Sequence, residues 1–254
     1  GAQNDSYVQI VQKIEAQNMA GSGWNYTSSS SNITLSFWVK SSVAQTMYAR
    51  LNAEDASRAF SFAFSATTSW TKIIKTIPGN SNLVFNNDDG VGIALYFIPF
   101  YGTNYTTSSH SSDSWIADSS SNQVADMTTT WYTTNDATFE VTGVQLEVGS
   151  QATAFEHRSY GDELALCERY CLELIRGQQY VGTCMLYTSS THTAAMVWKT
   201  TMRASPTMVA NSGADYYITY RNAGSVTYNA LAGTSLVSRN GGSVYTTSGS
   251  GTQG

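Results

Sequence analysis

Aromatic and amide side chains are concentrated in one long polar stretch of the chain, between residues 101 and 134. Its aromatic residues are Tyr101, Tyr105, Trp115, Trp131 and Tyr132. Flat rings pack against the C–H faces of sugars, and nearby amides, hydroxyls and carboxylates match sugar hydroxyl groups. The stretch therefore predicts contacts with a carbohydrate. The alternative is that the same rings cap a hydrophobic core or lie in a subunit interface, where Tyr and Trp are enriched.

A second group of residues has the chemistry of a cation site. The sequence FNNDDG, residues 85–90, offers Asn86, Asp88 and Asp89 as oxygen ligands. Because Ca²⁺ prefers such hard ligands, these residues are candidates for a structural calcium site. The same string is also typical of an ordinary turn, since Asn, Asp and Gly tolerate left-handed backbone conformations. The turn is the favoured interpretation.

The three cysteines are Cys167, Cys171 and Cys184. An odd number, with two of them one helical turn apart, is not typical of a disulfide framework, so we expect buried or half-buried free thiols. A metal site that combines them with His192 is the alternative. Their spacing matches no common zinc pattern.

Recognised catalytic motifs are missing from the sequence, which contains neither G-x-S-x-G nor H-E-x-x-H. The adjacent acids at 88–89 and 162–163 are explained by a turn and by a helix start. We therefore predict that the protein is not an enzyme. Glycosidases use two carboxylates at a fixed separation, so a pair that the fold brings together to face a groove would indicate the opposite.

The charge pattern excludes two further classes of function. Only 12% of the residues are charged, and the 13 Lys and Arg residues are dispersed in a chain of net charge −5. Nucleic-acid binding needs a concentrated positive surface, so no nucleic-acid partner is expected. No run of 18 or more apolar residues occurs, so no membrane insertion is expected. A surface rich in Ser, Thr, Asn and Gly is common in extracellular and virion β-proteins.

The elements that must position these residues are mostly strands. Residues 31–41 (SNITLSFWVKS) and 57–66 (SRAFSFAFSA) alternate apolar and polar side chains, which is the period of a half-buried strand. Their predicted core residues are Ile33, Leu35, Phe37, Val39, Phe60, Phe62 and Phe64. Short strands separated by Gly, Asn and Ser predict an antiparallel sandwich over residues 1–158.

The period changes to that of a helix near residue 159. Leu164, Cys167, Cys171 and Leu174 recur at helical spacing, and Ser159 can cap the first turn. We therefore predict one connecting helix over residues 159–177. Alternation then resumes and predicts a smaller C-terminal β-domain over residues 178–254. Its last stretch, residues 241–254, is too polar for a final core strand, so this domain is expected to be incomplete.

The order of several strings resembles a bacteriophage tail-fibre module. The strings are TLSFWVKSS, FSFAFSATTSWTKIIKTIPG, GVGIALYF, FEVTGVQLEVGSQATAFEHRSYGDELALCERYC and TTMRASPTM. The resemblance extends from about Ser6 to Ser212. In that family a jelly roll related to carbohydrate-binding modules is followed by a bridging helix and a C-terminal β-domain. The resemblance thus implies a mainly β fold made of a jelly-roll β-sandwich, one connecting α-helix and a smaller β-domain.

The same resemblance implies a virion location, in the phage tail or fibre, and an extracellular location after release. We expect a non-enzymatic tail-fibre protein that binds host-surface glycans at the fibre tip. Its expected partners are that glycan, other virion tail proteins and further copies of itself in a homotrimer. No cofactor is required beyond the candidate structural calcium. The alternative is a purely structural appendage, such as a knob or decoration protein, without its own ligand.

Overall fold

A computed structural model of the chain describes residues 1–178, 180, 182–187, 191–221, 224–233 and 237–246. The chain divides into two compact units, Gly1–Glu156 and His157–Gly254. Both units are built mainly of antiparallel β-strands, as the alternating sequence predicts. No helix in these described residues is long and apolar enough to cross a membrane.

The first unit contains eight of the strands. They are β1 (Tyr7–Glu15), β2 (Asn32–Ser41), β3 (Gln45–Ala53), β4 (Arg58–Ala66), β5 (Thr71–Pro78), β6 (Val91–Tyr101), β7 (Trp115–Ala117) and β8 (Phe139–Val148). Short helices α1 (Ala16–Ala20) and α2 (Thr130–Thr133) and a 3₁₀ turn (Glu54–Ala56) connect them. One sheet has the order β1-β6-β3-β4-β7, and the other has the order β5-β2-β8. The unit is therefore a β-sandwich of two antiparallel sheets.

The two sheets pack face to face around one core. The ring of Phe37 in β2 lies 5.3 Å from that of Phe64 in β4 and 4.9 Å from that of Phe97 in β6. All seven core residues predicted from the alternation of β2 and β4 are buried in this cluster, which confirms the predicted strand faces. The side chains that alternate with them on β3, β4 and β6 therefore point to the outer face of the five-stranded sheet.

A register shift places one tyrosine on that outer face. Between Val8 and Ile10 of β1, the partner strand β6 advances from Phe100 to Phe97, which inserts an extra residue beside Pro99. Proline has no N–H to donate to the ladder and is tolerated at such bulges. Because the bulge reverses the alternation, Phe97 and Phe100 both reach the core while Tyr101 joins the outer face.

The polar stretch 101–134 is less irregular than its composition indicates. It contains β7, which pairs with β4, and the short helix α2. Trp131 lies within α2. Two loop segments, residues 102–114 and 118–126, cross the outer face of the five-stranded sheet, where His110 bonds to Ser61 and Asp118 to Arg50.

The second unit contains a short helix and six strands in its described residues. They are α3 (Tyr160–Glu168), β9 (Cys184–Leu186), β10 (His192–Val197), β11 (Tyr217–Arg221), β12 (Gly224–Tyr228), β13 (Leu231–Ala232) and β14 (Gly241–Thr246). One sheet has the order β13-β14-β10-β9, and β11 pairs with β12 alone. A small core of Ala194, Met196, Trp198, Met202 and Val244 stabilises the unit.

The predicted helix over 159–177 is correct at its start and wrong at its end. The Ser159 side chain accepts a hydrogen bond from the backbone N–H of Asp162 at 3.2 Å, the expected N-cap. The helix ends at Glu168, and none of its residues is buried within the described chain. Short helices are marginal without tertiary packing, which accounts for its nine residues rather than the four turns expected.

The expectation that the polar end of the chain forms no core strand is also wrong for residues 241–246. These residues form β14, which pairs with both β10 and β13. Val244 and Thr246 of this strand are buried. The Thr246 hydroxyl accepts a hydrogen bond from the backbone N–H of His192 at 3.0 Å, so a hydroxyl satisfies a buried backbone group. Residues 247–254 lie outside the described residues.

Candidate functional site

The outer face of the five-stranded sheet has a row of large and polar side chains. Arg50 at the centre of β3 lies directly opposite Ser61 of β4 and Tyr96 of β6. In the next row Asn52 lies opposite Ala59 and Ala94. Directly paired residues of antiparallel strands share a face, so these side chains are neighbours. We call the surface formed by Arg50, Asn52, Tyr7, Tyr96, Tyr101 and Tyr105 the tyrosine face.

Arg50 is the most strongly held residue of the tyrosine face. It is only 2% exposed, although its charge is permanent. Its Nη2 donates to a carboxylate oxygen of Asp118, which follows β7. Its guanidinium lies 5.6 Å from the centre of the Tyr96 ring, within the range of a cation–π contact. Burial of this charge is compensated by one carboxylate and one ring.

Asn52 links two carboxylates below the same surface. Its Nδ2 donates to Glu54 Oε1 at 3.0 Å and to Asp118 Oδ2 at 3.3 Å. The two carboxylates therefore both accept from the same amide nitrogen and hold the Asn52 side chain in place.

Two buried polar atoms of the tyrosine face have no hydrogen-bond partner in the described structure: Arg50 Nε, a donor, and Asn52 Oδ1, an acceptor. Leaving such a group unpaired costs about 1–3 kcal/mol. The two residues are two positions apart on β3 and so point to the same side of the sheet. Both atoms are themselves buried, so neither is open to a ligand at the surface.

Three tyrosines form the adjoining part of the face. The Tyr7 ring meets the Tyr105 ring at 5.7 Å and the Tyr101 ring at 6.4 Å, both edge to face. The Tyr101 hydroxyl donates to Gln9 Oε1. Tyr7 is 56% exposed, so part of its ring is open to solvent while its edge is fixed by its neighbours. This is a rigid aromatic surface beside buried polar groups.

The pKa values of two tyrosines reflect this environment. Burial raises the pKa of Tyr101 well above its ordinary value. Burial also raises the pKa of Tyr96, with further increases from the negative charges of Glu54 and Asp118 and an opposing effect from Arg50. Both phenols therefore stay protonated, and each hydroxyl group can donate a hydrogen bond.

A Ser–His–Asn chain fixes the loop over the other half of the sheet. His110 Nε2 lies 2.5 Å from the Ser61 hydroxyl oxygen, and His110 Nδ1 lies 2.7 Å from Asn122 Oδ1. This order of side chains resembles that of a nucleophilic triad. Ser61 is only 2% exposed, however, so its hydroxyl is closed to a substrate. The chain connects β4 to the loop.

A cavity lies at the end of the same sheet. Its volume is about 490 Å³, and Thr46, Tyr48, Asp126, Met127 and Thr128 are among its lining residues. Burial, followed by the charge of Asp126, raises the pKa of Tyr48. The wall at 128–131 is fixed because Gln45 Oε1 accepts from the Thr128 hydroxyl at 3.2 Å and from the Trp131 N–H at 3.0 Å.

The structure brings two of the five predicted carbohydrate contacts, Tyr101 and Tyr105, to the tyrosine face. It places the other three against the core. Trp131 is 8% exposed and donates its indole N–H to the Thr138 carbonyl at 3.1 Å, so it has no free ring face for a sugar. Trp115 donates to the Pro78 carbonyl at 2.7 Å, and Tyr132 stacks on Phe100 at 4.6 Å. These three rings therefore cap the hydrophobic core, as the alternative interpretation of the stretch expects.

The candidate calcium residues form a turn. Asp88 Oδ1 accepts from the Gly90 N–H at 2.9 Å. The Asn86 backbone N–H and side-chain amide both donate to the carboxylate of Asp55, at 2.9 and 2.7 Å. A calcium site at Asn86, Asp88 and Asp89 stays a prediction. The hydrogen bonds fit the turn interpretation of this string.

The expectation of buried or half-buried free thiols is wrong for two of the three cysteines. Cys167 and Cys171 are exposed, whereas Cys184 is half-buried, and all three are free thiols. In the described part of the chain, no group of three or more His, Cys, Asp and Glu side chains is placed to hold a metal ion. The nearest neighbour of the His192 ring is the hydroxyl of Tyr228, which bonds to Nδ1.

Sequence reasoning missed Tyr7, Arg50, Asn52, Tyr96 and Asp118. A signal for Arg50 and Asn52 was present in β3, where QTMYARLNA alternates apolar residues with Tyr, Arg and Asn. An arginine at the centre of a half-buried strand needs a counter-ion and so marks a site. Comparisons of the chain with protein-family models, curated proteins and solved structures found no match.

Proposed function

We propose that the first unit is a non-enzymatic module that binds glycans of a host surface, and that it belongs to a phage tail fibre. The observation that carries this proposal is the partly open ring of Tyr7, fixed edge to face against the rings of Tyr101 and Tyr105. A sugar offers the surfaces that suit such a ring and the polar groups around it. Its C–H face packs on an aromatic ring, and its hydroxyl groups donate and accept hydrogen bonds.

The rigidity of the face supports binding rather than catalysis. Arg50 is held by Asp118 and Tyr96, and Tyr7 is held by two tyrosine rings. Side chains that are ordered before binding lose little entropy when a ligand arrives. The Ser61 hydroxyl, which bonds to His110, is buried and closed to solvent. A rigid recognition surface is the function that this arrangement serves best.

A glycan array with the purified full-length chain tests the proposal. The wild-type protein is expected to bind a defined subset of glycans. Tyr7→Ala should weaken that binding by about tenfold, because it removes a stacking surface. Tyr160→Ala is the matched control, since Tyr160 is 82% exposed and lies in the other unit. Unchanged glycan binding by Tyr7→Ala, or an equal loss of binding in the control, would contradict the proposed site.

The structural appendage remains the second candidate, and one observation favours it. The second unit exposes several large apolar side chains in its described residues, as surfaces buried in an assembly do. They include Tyr180, Tyr187, Val197 and Val209. A homotrimer would cover such surfaces and, if the first unit binds glycans, would add avidity. Light scattering at micromolar concentration tests the trimer, and a monomer would contradict it.

A further inference from the structure

The cavity at the end of the five-stranded sheet contains a carboxylate whose charge is not matched. Asp126 is exposed, and its Oδ1 accepts a hydrogen bond from the Thr106 hydroxyl at 2.8 Å. Within the described residues, its Oδ2 accepts no hydrogen bond, and no Lys, Arg or His side chain forms an ion pair with it. Asp118, by contrast, is paired with Arg50. Asp126 therefore gives the cavity a negative charge that a ligand can reach.

The lining of this cavity offers polar groups but no cation. Gln45, Tyr48 and Thr128 are among its lining residues, and none of them all is Lys, Arg or His. The hydroxyl of Tyr48 makes no hydrogen bond within the described residues and, unlike Arg50 Nε, is not closed off by burial. The volume of about 490 Å³ lies within the range of small-ligand sites, which is about 300–1,000 Å³.

Shared residues connect the cavity to the tyrosine face. Tyr48 lies two positions before Arg50 on β3 and so is on the same side of the sheet. Asp126 also lines a smaller cavity of about 90 Å³, together with Tyr101. The Tyr101 ring in turn meets the Tyr7 ring edge to face at 6.4 Å. The Asp126 carboxylate thus belongs to the same surface as the Tyr7 ring.

An ammonium group is the ligand chemistry that this lining fits. It has a positive charge and only donates hydrogen bonds, whereas the Asp126 carboxylate is negative and only accepts them. A carboxylate, sulfate or phosphate group would instead be repelled by Asp126 and would find no cation in the lining. In a glycan, an ammonium group is that of an amino sugar whose nitrogen is not acetylated.

We propose that the Asp126 cavity recognises the free ammonium group of an amino sugar. This inference rests on the proposed glycan-binding function and adds the class of glycan. N-acetylation provides a matched comparison, because it removes the charge of the nitrogen and leaves the sugar hydroxyls in place. The preference therefore comes from the charge of the nitrogen and not from hydroxyl groups, which both forms carry.

The test is a glycan array that presents free amino-sugar glycans beside their N-acetylated counterparts, at about pH 6, where an amine of this kind carries its proton. The free amines are expected to bind the wild-type protein about fivefold more tightly. About 0.5 M NaCl should remove most of this difference, because the ion pair is exposed. Asp126→Asn should bind both forms equally, since the amide has no charge but can still accept from Thr106. Glu140→Gln removes the same charge from the other sheet and should keep the preference.

Tyr7→Ala separates this inference from the proposed function. It should weaken binding of both forms by the same factor, because stacking on the ring does not depend on the charge of the nitrogen. If the wild-type protein binds both forms equally, or if the preference persists in Asp126→Asn, the inference is overturned while glycan binding stands. If the wild-type protein binds no glycan, the proposed function fails and the inference fails with it.

A competition arm distinguishes an amino sugar from an amine of any other source. Ethylamine, which has an ammonium group but no sugar, should displace the bound glycan only at a concentration more than about tenfold above that of the free amino sugar. Equal competition by the two amines would overturn the inference, because the cavity would then recognise a positive charge without the sugar.

Discussion

Arg50 and Asp118 form an ion pair that joins positions 68 residues apart in the chain. The pair fixes the segment after β7 against the centre of β3, where Asn52 bonds to the same carboxylate. Asp118 is fixed from its other side as well, because its backbone N–H donates to the Ser57 carbonyl at 2.9 Å. The pair therefore holds together both the fold and the proposed binding surface.

Replacing Asp118 by Asn is expected to lower the free energy of unfolding by about 2–4 kcal/mol, because Arg50 then stays buried without a counter-ion. The effect is smaller than for a fully buried pair, since the Asp118 side chain is one-third exposed. Urea denaturation measures it. The control is Glu140→Gln, which breaks the exposed pair with Lys40 at 3.0 Å and should cost less than about 0.5 kcal/mol. Equal losses in both variants would contradict the role of the Arg50–Asp118 pair.

Trp131→Ala is expected to destabilise the first unit by about 3–5 kcal/mol, because it removes a ring from the core. The comparison is Trp70→Ala, since Trp70 is 43% exposed and should cost much less. Thermal unfolding followed by circular dichroism measures both. If Trp131→Ala kept full stability and lost glycan binding, Trp131 would be a ligand contact and its assignment to the core would be wrong.

The stability of the protein is expected to fall as the pH rises above 10. Burial raises the pKa of Tyr101 in the folded state, whereas the unfolded chain ionises this residue near the ordinary value of 10.0. The contribution of the protonated Tyr101 to the free energy of unfolding is therefore complete below pH 10, and it is lost as the pH rises towards the folded-state pKa. Urea denaturation at several pH values gives the slope of the unfolding free energy against pH. Tyr101→Phe should make this slope less steep by up to about 1.4 kcal/mol per pH unit. An unchanged slope would mean that Tyr101 does not cause the decline.

His110→Ala is expected to release the loop over the sheet, because His110 bonds to Ser61 on one side and to Asn122 on the other. Chymotrypsin, which cleaves after aromatic residues such as Tyr105, should then cut the loop about tenfold faster. Ser108→Ala changes an exposed residue of the same loop and is the control. Equal cleavage rates in the two variants would show that the Ser–His–Asn chain does not hold the loop.

The sandwich could be predicted from the sequence because its strands obey a simple local rule. In β2 and β4 every second residue is apolar, and those residues are the ones buried between the sheets. Helix α3 was less predictable. The apolar residues at helical spacing indicated a helix to residue 177, but periodicity does not reveal whether a face finds a partner, and this one has no buried residue within the described chain.

The candidate site was only partly predictable, for two physical reasons. Tyr101 faces outwards because a bulge beside Pro99 reverses the alternation of β6, and a bulge depends on pairing with a distant strand. Asp118 reaches Arg50 only when the loop crosses the sheet. Trp115 and Trp131 were predicted as glycan contacts from their polar surroundings. Their indole N–H groups bond to backbone carbonyls instead, which lets them cap the core.

The most direct test of the account is an NMR titration that observes the Tyr7 ring. The aromatic signals of Tyr7, assigned by their disappearance in Tyr7→Leu, come from a ring that is 56% exposed. When a glycan that binds on the array is added, these signals should shift progressively as a sugar C–H face packs on the ring. Tyr7 signals that stay in place while the bound glycan shifts residues elsewhere would contradict the account.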